Sequence, residues 1–185
     1  ARRGTEPTGV CVTGGRAGWG AWHPYRTCHS YRPVCGGMAG GQAGAACDGR
    51  AMAGRRRVVA MYSTFLPRAY DQGSGDVGRH RLPVVFAIDR AGITGDDGPS
   101  HHGILDMALC QTIPGITLFA PSSVQEVPAM LATALALDGP CLIRFPRGGA
   151  RPVLAAAVGR APAAASCAPS PPTHVALLAM GTGPR

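Results

Sequence analysis

From Val58 onward, short apolar runs alternate with amphipathic stretches. VVAMY (58–62), LPVVFAI (82–88), ITLFA (116–120) and CLIRF (141–145) are each short and largely apolar, as strands covered on both faces are. Between them the pattern predicts helices over 64–72, 103–110 and 123–137. The last opens at Ser123 with Glu126 three residues on, the spacing of a capping box. Pro128 sits in its opening turns, where it would remove one helix hydrogen bond. Strand and helix in this alternation predict an α/β fold, a parallel sheet flanked by helices, over residues 57–150.

The flanks read differently. Residues 1–56 are rich in glycine and arginine and fit no helix or strand template over more than a few positions, so a poorly ordered segment is expected there. A frame error or a degenerate upstream gene would account for such text, and a novel N-terminal extension is the alternative. Residues 151–172 are rich in alanine and proline and read as a linker. HVALLAMGTG (174–183) reads as one more buried strand, so 173–185 is expected to open a further, truncated domain.

Composition narrows the function classes only a little. The 185 residues suit one domain or slightly more. The net charge is +8, yet all 18 basic residues are arginine, a bias that suits a GC-rich genome as well as a basic surface. No recognition motif accompanies the charge, so nucleic acid is not an expected partner. Seven cysteines at irregular spacing, without a CxxC pair, imply neither a disulfide framework nor a zinc site and fit a reducing cytoplasm. No apolar run approaches the 18 residues of a membrane span, and no signal peptide is evident.

Three motifs invite chemistry. GSGDVG (73–78) matches the GxGxxG pattern, but it follows a helical stretch and leads into a strand, the reverse of a dinucleotide site; it reads as a glycine-weakened helix end. Ser63 or Ser100 with His101 and Asp97 lacks the GxSxG elbow of a hydrolase. GDDGPSHHGILDM (95–107) follows a strand's C-terminal end, where open parallel sheets bind ligands. There Asp97 and His101 stand four apart, so the aspartate could fix the imidazole's tautomer for proton transfer or oxyanion binding. The plainer alternative is that these groups cap the helix at 103–110. Arg68, Arg90, Arg144 and Arg147 lie near strand ends, and arginines converging on one edge would suit a phosphorylated substrate.

YSTFLPRAYDQ (62–72), LPVVFAIDRAGITGDDGPSHHGILDMAL (82–109), IPGITLFAPSS (113–123) and DGPCLIRFPRG (138–148) together resemble the middle, pyrimidine-binding domain of the 1-deoxy-D-xylulose-5-phosphate synthase family. The resemblance implies a thiamine-diphosphate- and Mg²⁺-dependent enzyme. It decarboxylates pyruvate and joins the two-carbon unit to glyceraldehyde 3-phosphate, an entry to isoprenoid and thiamine precursors. It implies that Phe65 stacks on the cofactor's aminopyrimidine with Tyr62 nearby. Arg68, Asp97 and His101 would line the substrate pocket, and Arg90 and Arg147 would grip the substrate phosphate. Family members are homodimers.

The sequence also departs from the family. The glutamate that activates the cofactor belongs to a GIAEQHA motif that would fall near Gly40, and the only glutamates here are Glu6 and Glu126. The GDG motif and the asparagine that hold diphosphate and Mg²⁺ are absent. The expectation is a fragment that is inactive alone. Two alternatives are a subunit of a split enzyme and a non-catalytic binding or interaction protein.

Overall fold

The computed structural model describes residues 10–12, 34–35, 51–52 and 56–147. Among the described residues six parallel strands form one sheet: β1 (Val10–Val12), β2 (Val34–Cys35), β3 (Arg57–Tyr62), β4 (Val84–Asp89), β5 (Thr117–Phe119) and β6 (Cys141–Arg144). Their order is β2-β1-β3-β4-β6-β5. Three α-helices lie wholly within the described residues, α1 (Leu66–Asp71), α2 (Asp106–Cys110) and α3 (Glu126–Ala136), besides the helical pair Ala51 and Met52.

The apolar runs become strands because both sides of the sheet are covered. Val59 and Met61 of β3, Phe86 and Ile88 of β4, and Leu142 of β6 share one core with Leu66, Ala69, Cys110 and Ile113. Val58, Ala60, Val85, Ala87, Cys141 and Ile143 face the other way and pack with Phe119 and with Leu131 and Ala134 of α3. Successive residues of a strand point to opposite faces, so burial on both faces requires an unbroken apolar run. Each fully buried Val, Leu or Ile contributes roughly 1.5–3 kcal/mol.

The sheet reaches outside the expected domain, since β1 and β2 pair in parallel with each other and β1 pairs with β3. At three and two residues they are too short to display a period. The expectation of poor order for 1–56, and the linker and final strand over 151–185, otherwise lie outside the described residues.

Helix starts differ from the sequence reading for identifiable reasons. The capping box is displaced by one residue: Glu126 accepts from the Ser122 N–H at 2.6 Å and its hydroxyl at 3.0 Å, while the buried Ser123 hydroxyl has no partner. Because α3 begins at Glu126, Pro128 is its third residue. Its missing N–H is one of those that no helix start can bond internally, so no helix bond is lost. GSGDVG continues α1 as a wide turn of π type over Gln72–Gly78 and ends in a close approach, for a Cβ on Gly78 would come within 2.5 Å of Ile113. The thiols of Cys110 and Cys141 are free; burial pushes them up to about 12 and about 11.

Candidate functional site

The register of β3, β4 and β6 assembles a cluster at their C-terminal ends. Tyr62 lies opposite Asp89 and Ile88 opposite Arg144. Beyond the strands the pairing runs on, with the Phe145 N–H donating to Ile88 at 3.0 Å and the Ala91 N–H donating to Phe145 at 3.1 Å. The segments that follow the three strands are therefore neighbours in space.

The first supplies aromatic rings. After Tyr62 the chain turns through a 3-10 segment, Ser63–Phe65, which brings Tyr62 and Phe65 into a stack at 5.6 Å and 19°. The His101 ring meets Phe65 edge to face at 6.3 Å and 73°. Two contacts hold the histidine loop there. Thr64 donates its hydroxyl to the Ser100 carbonyl at 2.8 Å, and Gly92 and Gly103 exchange both backbone hydrogen bonds at 2.8 Å.

The second supplies charge. Arg90 adopts a left-handed backbone, φ 59°, at a cost of roughly 1–2 kcal/mol for a residue with a Cβ. Its N–H donates to the Asp89 carboxylate at 2.6 Å, and its guanidinium lies 4.1 Å from the centre of the Tyr62 ring, within cation–π range. Desolvation raises the Asp89 pKa above 3.8, outweighing the neighbouring Arg90 and Arg147.

Asp97 is shared by both arginines of this edge. One carboxylate oxygen pairs with Arg90 and the other with Arg147 at 2.5 Å. This corrects the expected aspartate–histidine pair, because His101 instead shares a hydrogen bond between its Nδ1 and Ser100 Oγ at 3.0 Å. Residues four apart face each other only on a continuous helix. Here two separate 3-10 turns, Gly95–Asp97 and Pro99–His101, are divided by Gly98 at φ 76° and ψ 175°. Neither group caps the following helix, which begins only at Asp106 without a side-chain cap.

Of the other candidates, Arg68 is exposed on α1 and makes none of these contacts. Arg144 turns away to Asp106, with Nε 2.9 Å from a carboxylate that is 1% exposed. Sequence reasoning passed over that pair and Asp89. An aspartate inside the apolar ILDMAL and an arginine inside CLIRF were the available signals, since a buried charge needs a partner. Several buried polar atoms near the cluster have no partner: both His102 ring nitrogens, Ser63 Oγ, Thr94 Oγ1 and Arg90 Nε.

Chemically, the edge offers a flat aromatic face, an imidazole and two guanidinium groups converging on one anion. Among the described residues no three His, Cys, Asp or Glu side chains are grouped to hold a metal ion. No helix among them is long and apolar enough to cross a membrane.

A family model described as transketolase, pyrimidine binding domain, matches residues 22–152, starting well inside the segment that lacked periodicity. The 1-deoxy-D-xylulose-5-phosphate synthase of Chlorobium phaeovibrioides is 53% identical over 113 residues, 60% of this chain and 18% of that protein. 1-deoxy-D-xylulose-5-phosphate synthase 1 of Geobacter sulfurreducens is 54% identical over 100 residues, 54% of this chain and 16% of that protein. The chain thus spans less than a fifth of the length of these relatives. Among solved structures, a split-gene transketolase described as an inactive tetramer superposes with TM-score 0.63 at 22% identity, covering 79% of this chain and 47% of that one. A transketolase variant of Pichia stipitis in complex with fructose 6-phosphate gives TM-score 0.65 at 18% identity, covering 77% of this chain and 23% of that one. At such identities the solved structures speak to fold alone.

Proposed function

Because the chain belongs to the transketolase pyrimidine-binding domain family, we propose that it carries the pyrimidine-facing half of a 1-deoxy-D-xylulose-5-phosphate synthase site. That enzyme takes a two-carbon unit from pyruvate and joins it to glyceraldehyde 3-phosphate with thiamine diphosphate and Mg²⁺. The observation that carries the reading is the Tyr62–Phe65 stack with His101 at its edge, beside two arginines converging on one carboxylate.

The described residues fit one end of the cofactor. A planar aminopyrimidine suits an aromatic face, by stacking at ring separations of about 4.5–7 Å, and Phe65 is only half-buried. In this reading the diphosphate and metal end of the cofactor is held by groups outside the described residues. Glu126 does not serve as the activating acid, since it is buried on α3 and bonded to Ser122. When bound, thiamine diphosphate supplies the nucleophilic carbon that receives the two-carbon unit. The chain's own residues bind and orient: Arg90 and Arg147 hold the phosphate of the aldehyde substrate, Asp97 stands between them, and Arg68, exposed on α1, meets the substrate only from the solvent side. His101 moves a proton at Nε2, the nitrogen left over by its bond to Ser100. In this reading the 185-residue polypeptide by itself does not turn over.

Titrating the chain with thiamine diphosphate while following backbone amides by NMR tests the assignment. The expected result is a set of shifts centred on Phe65 and His101 that disappears in Phe65→Ala. No shift at either residue would overturn it. Product formation after adding Mg²⁺, pyruvate and glyceraldehyde 3-phosphate would overturn the predicted inactivity.

A further inference from the structure

Asp97 occupies the arginine pair with a carboxylate from the same chain, and we infer that it is a displaceable counter-anion setting the threshold an incoming anion must exceed. The inference rests on Arg90 and Arg147 being the phosphate-binding pair. One Asp97 oxygen takes Arg90 and the other takes Arg147 at 2.5 Å, so while the aspartate stays each guanidinium has part of its donor set and of its charge committed to it.

The Arg90 end of the cluster is anchored. Arg90 is held by Tyr62 beneath its guanidinium, by its left-handed backbone and by the Asp89 carboxylate on its N–H. The aspartate side is poised to move. Asp97 ends a three-residue turn flanked by Gly95 at φ 61° and Gly98 at φ 76°, and a Cβ on either glycine would touch nothing within 4 Å. Gly95 and Asp96 are exposed and no residue of the turn belongs to either core cluster, so the turn can swing without unpacking the core. The Arg147 side chain is 43% exposed, against 18% for Asp97, so solutes reach the cluster from that side. The Arg147–Asp97 half, partly exposed on the arginine side, is weak enough to exchange, whereas Arg90 is only 15% exposed and holds its place.

The consequence is quantitative. A ligand that needs the unlocked arginines binds with its intrinsic affinity divided by the unlocked fraction's reciprocal, so if roughly one molecule in ten is unlocked, every anion binds about tenfold more weakly. The factor is common to all anions, so Asp97 sets a threshold rather than a ratio. A phosphate monoester, with a charge near −2 and three acceptor oxygens, passes it at concentrations where a monocarboxylate fails.

The test uses inorganic phosphate and acetate as probes, titrated against the full chain and Asp97→Asn. The expected result is that both bind about tenfold more tightly to the variant, a change of about 1.4 kcal/mol, and that Arg147→Ala in the variant background removes the gain. A gain for phosphate far larger than for acetate would overturn the inference, because a simple field effect acts on a dianion about twice as strongly in free energy. Equal phosphate affinity in both proteins, lost with Arg147→Ala, would overturn the threshold while leaving the arginine pair as a phosphate site. No phosphate binding even to Asp97→Asn would overturn the arginine pair and the inference together. Circular dichroism checks that the variant folds. Should it not, the Asp97 carboxylate carbon of the wild-type chain decides by NMR: it shifts as phosphate saturates the site, and a stationary signal overturns the inference.

Discussion

Gly103→Ala is the sharpest perturbation of the site that leaves every functional side chain in place. A Cβ at 103 would collide with Cβ and Oγ of Ser63 and stand 2.5 Å from the Arg90 carbonyl oxygen. Two of these three atoms belong to buried Ser63 and the third is backbone, so no flexible side chain can yield. Overpacking of this kind costs about 1–3 kcal/mol. The shift also strains the two 2.8 Å bonds between Gly92 and Gly103, whose loss adds about 0.5–1.5 kcal/mol each. The expected destabilisation is therefore about 2–6 kcal/mol, a large part of the 5–15 kcal/mol that holds an ordinary domain. Urea unfolding followed by far-UV circular dichroism measures it, with Gly139→Ala as control, since a Cβ there meets nothing within 4 Å. Ser63→Gly in the Gly103→Ala background recovers part of the loss, because it removes two of the three colliding atoms and leaves the Arg90 carbonyl. A Gly103→Ala protein within about 0.5 kcal/mol of wild type, the range of an inert surface change, would refute the argument that this contact pins the histidine loop to the end of β3.

Two further outcomes follow from the charged groups. Arg144→Met leaves the carboxylate of Asp106, 1% exposed, buried without its charge partner, and unfolding titrations should show a loss of about 3–5 kcal/mol; the Asp106→Leu, Arg144→Met double variant should regain most of it, and equal losses in both would show that the pair itself is stabilising. Asp89, raised above 3.8 by burial, favours folding in its protonated form. Its contribution is fully present below pH 3.8 and is lost as pH rises through the native pKa. Melting temperatures of wild type and Asp89→Asn should therefore differ more at pH 7 than at pH 3, with the asparagine protein the more stable at pH 7; a difference independent of pH would refute this.

How much of this was written in the chain depends on how local each cause is. β3, β4 and β6 were legible because burial on both faces leaves an unbroken apolar run, and the alternating cores on either side of them are its direct result; β5, at the sheet's edge, was legible from its short apolar run alone. β1 and β2 were not legible, since two or three residues cannot show a period and their pairing with β3 is a tertiary fact. Helix starts moved by a few residues wherever a neighbouring element claimed the backbone, as Gly92 does at Gly103.

The site divides along the same line. Arg90, Asp97, His101 and Arg147 were singled out from motif and position and Tyr62 and Phe65 from the family resemblance; these six converge at the C-terminal ends of the strands, whereas Arg68, singled out with them, stays exposed on α1. Their pairing was not readable, because Asp97 stands four residues from His101 but answers to Arg90 and Arg147. A spacing of four suggests contact only if the helix between is unbroken, and a glycine at φ 76° breaks it. What decides the partner is the register of β4 against β6, which delivers Arg147 to the loop after β4 from more than fifty positions further along the chain than Arg90. Local sequence thus named the participants, while sheet topology determined which of them hold one another.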